Sequence, residues 1–160
     1  MSPKRILFVC TGNSCRSVMA QEYLRHLLKR AGAEQMQVES AGVFAIQGMS
    51  PTKETVRVLQ EFGIICSAHQ ARLLTPEMIR EADLIFTMEA FQTEEVIRRE
   101  PSAKGKLHLL KPYHSPPGEA PLSPNIADPI GKPLEVYEVC FTEIREVVDR
   151  VAKSLGVLSA

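Results

Sequence analysis

Lys4-Arg5-Ile6-Leu7-Phe8-Val9-Cys10-Thr11-Gly12-Asn13-Ser14-Cys15-Arg16-Ser17 divides into two textures. Lys4 to Cys10 is a short run that carries β-branched and aromatic residues at Ile6, Phe8 and Val9, and it reads as a fully buried strand. Thr11 to Ser14 is turn-like. Beyond it Ala20, Leu24, Leu27, Leu28 and Ala31 recur at helical spacing, with Gly32 as the stop.

Strands and helices continue to alternate outward from this unit. Gln35 to Ala41 reads as a second, less apolar strand. Ser50-Pro51 has the form of a helix cap followed by proline in the first turn, and Val56, Leu59 and Phe62 carry the face of that helix. Thr75-Pro76 repeats the device before a short helix ending near Ala82. Asp83 to Met88 is a third buried strand, followed by a polar helix through Arg99, and Lys106 to Leu110 is a fourth strand. Seven of the eleven prolines fall between Pro112 and Pro133, which predicts an ordered loop or flap. The last helix is the longest: Tyr137, Cys140, Phe141, Ile144, Val147, Val148, Val151 and Leu155 hold one face until Gly156. No repeat, low-complexity tract or linker interrupts the chain, so residues 1–160 are expected to form one domain. Alternation of this kind implies parallel pairing and right-handed crossovers. The expected fold is a flavodoxin-like, doubly wound α/β domain with a four-stranded parallel sheet and helices on both faces. Such sheets bind ligands beyond the carboxyl ends of their strands, which puts Cys10 and the loop after it at the mouth.

Composition narrows the class. The 160 residues are 44% hydrophobic and 24% charged, the profile of a soluble globular chain. Nineteen basic residues balance nineteen acidic ones, which argues against a nucleic-acid or anionic-membrane partner. The early apolar run Ile6 to Cys10 is too short for a signal-peptide core or a membrane span. Four cysteines without such a signal are expected to be reduced thiols, which points to the cytoplasm.

Cys10 to Ser17 is a Cys-x5-Arg-Ser segment between a buried strand and a helix start. Five residues can wrap so that successive backbone N–H groups point inward as an anion-binding nest at a positive helix end. A thiolate at the floor of that nest is a nucleophile near neutral pH. Arg16 returns to the mouth, where its planar fork can grip two phosphoryl oxygens and meet the charge that develops during transfer. Ser17 could hydrogen-bond the sulfur and ease its departure. Alone, the spacing is a weak motif, since a strand-end cysteine is usually a small buried hydrophobe. Its position after the first strand, with Gly12 inside and Ser17 opening a helix, carries the chemical reading.

Val9-Cys10-Thr11-Gly12-Asn13-Ser14-Cys15-Arg16-Ser17 with Met19-Ala20 resembles the low-molecular-weight protein-tyrosine-phosphatase family. Ser40-Ala41-Gly42, His69-Gln70-Ala71-Arg72, Ala82-Asp83-Leu84 and Asp128-Pro129 follow in that family's order, so the resemblance covers nearly the whole chain. It implies a metal-free and cofactor-free double displacement on phosphorylated protein substrates, by a protein expected to act as a monomer. Cys10 would form a thiophosphate while Arg16 and the loop residues Thr11, Gly12, Asn13, Ser14, Cys15 and Ser17 bind the phosphoryl group. Asp128, aimed by Pro129, would be general acid and then general base. Asn13, Ser40 and His69 would support the loop. Cys15, the family's second loop cysteine, could form a protective disulfide with Cys10 under oxidation. His26, His108 and His114 fit no metal-ligand spacing.

Ser14 is the informative departure. Tyrosine-directed relatives look to carry a bulky aliphatic there, the bacterial phosphoarginine phosphatases threonine, and the related thioredoxin-coupled arsenate reductases serine. The reductases need two more cysteines after the third strand. That segment here reads Phe86-Thr87-Met88-Glu89-Ala90-Phe91, and no cysteine lies between Cys66 and Cys140. Ile130 follows Asp128-Pro129 where tyrosine-directed relatives tend to have aromatics, and Phe44 and Phe91 are the aromatics that could stand near the mouth. Both points favour phosphoarginine over phosphotyrosine. A cysteine phosphocarrier would need neither Arg16 nor a late acid, and a flavin-binding module would want more than 6% aromatic residues.

Overall fold

The computed structural model describes residues 3–159. Four strands, β1 (Arg5–Cys10), β2 (Gln37–Gly42), β3 (Leu84–Thr87) and β4 (Leu107–Leu109), form one sheet in the order β2-β1-β3-β4. Every pairing is parallel, as strand–helix alternation requires. Along β1, Ile6, Phe8 and Cys10 join one core and Leu7 and Val9 the other, the alternation of a strand covered on both sides. On the first face, α1 (Arg16–Arg30), α2 (Lys53–Gln60) and α5 (Leu134–Ser154) bring Leu24, Leu59, Ile144 and Val148 into one core with Phe8. On the second, α3 (Pro76–Glu81) and α4 (Ala90–Arg99) cover Leu7, Val9 and Ile85 with Ile79 and Val96. This is the flavodoxin-like arrangement expected from the sequence. Its strand order reverses between β1 and β3, and their carboxyl ends open the crevice where such sheets hold ligands. Among the described residues no helix is long and apolar enough to cross a membrane.

The start of α2 corrects the sequence reading. Thr52, not Ser50, is the cap, and its hydroxyl accepts from the Thr55 N–H at 3.2 Å. The Thr52 N–H donates to the Ser14 carbonyl at 3.2 Å, so a tertiary contact with the loop after β1 sets where this helix begins. Phe62 falls beyond the helix end and is half exposed, edge-on to Phe141 at 5.3 Å between ring centres, while Thr55, Val58 and Leu59 form the buried face. Ala31 is the exposed C-cap of α1 instead of part of its buried face, and Gly32 at φ +70° ends the helix. A 3-10 segment, Pro101–Lys106, precedes β4 and was not legible as such. Residues 112–133 hold no helix or strand, as the prolines predict.

Gly42 is where β2 meets the loop after β1. Cys10 and Gly42 are register partners, and the Val43 and Phe44 N–H groups donate to the Cys10 and Thr11 carbonyls at 2.9 and 3.0 Å. A Cβ on Gly42 would collide with the Thr11 carbonyl oxygen and stand 2.9 Å from the Asn13 nitrogen. Both obstacles are backbone, so neither can swing aside. Gly42→Ala is expected to lower stability by about 2 kcal/mol in urea unfolding, because relief of the overlap must displace the loop. A variant with native stability would contradict this.

Candidate active site

Cys10 ends β1 and α1 begins at Arg16, so residues 11–15 wrap between a strand end and a helix start. No side chain caps the first turn of α1 and no acidic residue lies in it, which leaves its amino end free for an anion. Asn13 takes the left-handed conformation at φ +55°, and this reversal turns its N–H onto the Cys10 sulfur at 3.3 Å.

Hydrogen-bond direction around Asn13 follows from which groups can donate. The Arg72 N–H donates to Asn13 Oδ1 at 2.9 Å, which fixes the orientation of the amide. Asn13 Nδ2 then donates to Ser17 Oγ at 2.8 Å and Ser40 Oγ at 2.9 Å. Ser40 passes its hydrogen to Gln21 Oε1 at 2.7 Å. Ser17 is thus an acceptor toward Asn13 and has its own hydrogen for the Cys10 sulfur, 2.9 Å away. The Asn13 carbonyl lies 3.0 Å from His69 Nε2 and can only accept, so that nitrogen carries a hydrogen. Burial pushes the His69 imidazole below its ordinary pKa and keeps it neutral. Asn13, Ser40 and His69 are therefore joined by hydrogen bonds that brace the loop from behind.

Arg16 is buried to 1% exposure. Its Nη1 meets the Glu89 carboxylate and donates to the Ile126 carbonyl at 2.7 Å, and its Nη2 lies 3.5 Å from Asp128 Oδ2. Burial works against the guanidinium charge, but the Cys10 sulfur, Glu89 and Asp128 outweigh it and hold the pKa above its usual value. Gln92, one turn into α4, accepts from the Met88 and Glu89 N–H groups at 2.9 and 3.0 Å and donates to the Thr11 hydroxyl at 3.1 Å. The start of α4 therefore grips both ends of the loop.

Above the loop is a cavity of about 250 Å3 lined by Cys10, Thr11, Gly12, Ser14, Cys15 and Arg16, with Asp128 from the proline-rich segment at its mouth. Asn13 and Ser17 are buried behind it. Phe44 and Ile130 stand at the rim; Phe91 is exposed on α4 and is not among the lining residues. Asp128 is held near Arg16 because Ile126, buried, donates its N–H to the Met88 carbonyl at 2.9 Å.

The chain matches the family model described as low molecular weight phosphotyrosine protein phosphatase over residues 5–157. It is 39% identical over 153 residues to a protein-arginine-phosphatase of Geobacillus stearothermophilus, covering 96% of this chain and 97% of the relative. A probable low molecular weight protein-tyrosine-phosphatase, EpsP, of Ralstonia nicotianae is 37% identical over 146 residues, 91% of this chain and 92% of the relative. Among solved structures, a YwlE arginine phosphatase with cysteine replaced by serine, and that active-site serine phosphorylated, superposes with a TM-score of 0.86 at 31% identity over 95% of each chain. The chain belongs to the low molecular weight phosphotyrosine protein phosphatase family.

Within this low molecular weight phosphatase, several residues around the site were not legible from the motif. Thr55 Oγ1 donates to the Ser14 carbonyl at 3.1 Å, and the Cys15 sulfur lies 3.6 Å from Thr52 Oγ1 and 3.7 Å from the Tyr137 hydroxyl. Burial pushes Tyr137 up to about 12, so its hydroxyl stays protonated beside Cys15. It also pushes the Cys66 and Cys140 thiols up to about 11 and about 12, which keeps both neutral and unreactive. Glu89 and Gln92 did have a signal, the Glu-x-x-Gln spacing of a helix start, but nothing local pointed Glu89 at Arg16. Glu89→Ala leaves a buried guanidinium short of its nearest carboxylate. It is expected to lower stability by about 2 kcal/mol at pH 7 in urea unfolding, below the ~3–5 kcal/mol of a fully buried pair because water reaches Glu89. Unchanged stability would mean that Glu89 does not hold Arg16.

Proposed function

We propose that this phosphatase uses Cys10 as nucleophile, Arg16 as phosphate clamp and Asp128 as general acid and base, with phosphoarginine preferred to phosphotyrosine on its protein substrates. The observation that carries the reading is the convergence of these three side chains on one cavity of about 250 Å3 at the carboxyl end of β1. The Cys10 thiolate attacks phosphorus in line as the P–N or P–O bond breaks, and the proton of Asp128 passes to the departing nitrogen or oxygen. Arg16 and the N–H groups of the Thr11-to-Ser17 loop hold the three equatorial oxygens as their charge rises. Water then attacks the thiophosphate, giving its proton to Asp128. Inorganic phosphate leaves, and Cys10 returns as a thiolate that accepts the Ser17 hydrogen. The phosphorylated active-site serine of the YwlE mutant supports a covalent step at the equivalent place in this fold.

Two wall residues support phosphoarginine. Ser14 presents a small hydroxyl to the cavity, which leaves room for a polar guanidinium-bearing group, and Ile130 stands beside Asp128 where no aromatic ring is offered. Phe44 is the one aromatic among the lining residues. Relatives named for each activity match at similar identity, so the choice rests on these positions. The same reading has residues 1–160 working as one domain and as a monomer in the cytoplasm, where reduced thiols persist; the four unpaired cysteines support it.

Phosphate release from matched phosphoarginyl and phosphotyrosyl peptides, in EDTA and reductant, tests the assignment. Phosphoarginine is expected to turn over faster; a strong preference for phosphotyrosine would overturn the substrate choice and leave the mechanism standing. Cys10→Ser should lower turnover by about four orders of magnitude while inorganic phosphate still binds. Asp128→Ala should slow release by about a hundred- to ten-thousand-fold, most for poor leaving groups. Turnover retained by Cys10→Ser would end this mechanism.

A further inference from the structure

We infer that the rim of the cavity is a docking ridge for large apolar side chains that flank the phosphorylated residue of the substrate protein; this rests on the phosphatase reading above. Phe44, Ile46, Met49 and Ile130 are 62%, 65%, 47% and 51% exposed, yet all four border the same mouth. They come from two sides, three from the segment between β2 and α2 and one from the segment that carries Asp128.

The cavity itself is small. Its volume of about 250 Å3 lies below the ~300 Å3 at which ordinary small-ligand pockets begin, room for one phosphorylated side chain. Phe44, Ile46, Met49 and Ile130 line that cavity on one side and, at about half exposed or more, present further apolar surface around its mouth. Nor are they outward by looseness. The Phe44 N–H is tied to the Thr11 carbonyl at 3.0 Å, the Gly48 N–H to the Ala71 carbonyl at 2.8 Å, and the Ala71 N–H to the Met49 carbonyl at 2.8 Å. Gln47 Oε1 accepts from the Leu73 N–H at 2.9 Å. A pinned backbone that holds three large apolar side chains in water marks a contact surface.

Charge points to the same partner. Among the residues lining the mouth, Arg16 and Asp128 are the charged ones, and they face each other at 3.5 Å. The other rim side chains are apolar. A flanking glutamate or lysine finds no counter-charge on the ridge, whereas a flanking leucine removes apolar surface from water on both molecules. Met49, with its flexible thioether, can adapt to more than one such shape. Because these contacts are the same in the ground and transition states, they act on KM and leave kcat alone.

The test compares two phosphopeptides with the same phosphorylated residue, flanked on both sides by leucine in one and glutamate in the other, with a small aryl phosphate as reference. The leucine-flanked peptide is expected to show a KM lower by about five-fold or more at equal kcat. The double variant Ile46→Ser, Met49→Ser should bring the ratio of the two KM values close to one. Equal KM values in the native protein, or a lower one for the glutamate-flanked peptide, would overturn the ridge while aryl phosphate turnover left the phosphatase reading intact. No release from any of the three would overturn that reading, and the ridge with it.

Discussion

A guanidinium almost wholly removed from water has to be balanced where it lies, and much of this molecule is arranged around that requirement. Arg16 finds its partners on two segments distant in sequence. Glu89 opens α4 after β3, and Ile126 and Asp128 belong to the proline-rich segment before α5. Bringing them together fixes the approach of α4 to the loop, and Ile126 in turn ties that segment to Met88 at the end of β3. Asn125 adds a further tie, its Oδ1 accepting from the Ala90 N–H at 2.9 Å.

The second constraint is direction in the hydrogen bonds below the loop. Asn13 has its carbonyl oxygen spoken for by the Arg72 N–H, so its amide nitrogen is committed to Ser17 and Ser40, and the Ser17 hydrogen is left for the sulfur. This order makes the sulfur the terminus of a chain of donors, with the Asn13 N–H and the helix amino end beside it. An anionic group brought to the loop meets the same helix amino end.

The sheet, its parallel pairing and the placement of Cys10 at the mouth were legible because β1 is a compact apolar run that leads directly into a helix with clear periodicity. The roles proposed for Cys10 and Arg16 rest on the Cys-x5-Arg-Ser spacing of one loop and that of Asp128 on the family resemblance at Asp128-Pro129, since an Asp-Pro among clustered prolines reads by itself as a turn; the fold brings the three to one cavity. What escaped was tertiary in origin. The α2 boundary is set by Thr52 meeting Ser14, and Phe62 leaves its expected face because the helix ends before reaching it. Glu89 reads locally as a polar residue at a helix start, and only the fold shows it against Arg16. The apolar rim was equally hidden, since Ile46 and Met49 carry no periodic pattern and acquire meaning from the cavity they border.

The central claim is that phosphorus passes through the Cys10 sulfur. Asp128→Ala with an aryl phosphate of good leaving group is suited to trap it, because loss of the carboxyl slows the hydrolytic step more than a departure that needs little protonation. Rapid quenching followed by intact mass and peptide mapping should find one phosphoryl group, on the peptide that carries Cys10, and none in the Cys10→Ser, Asp128→Ala double variant within the same interval. Phosphorus on any other residue, or continued turnover with no phosphoryl group on Cys10 at any quench time, would contradict the account.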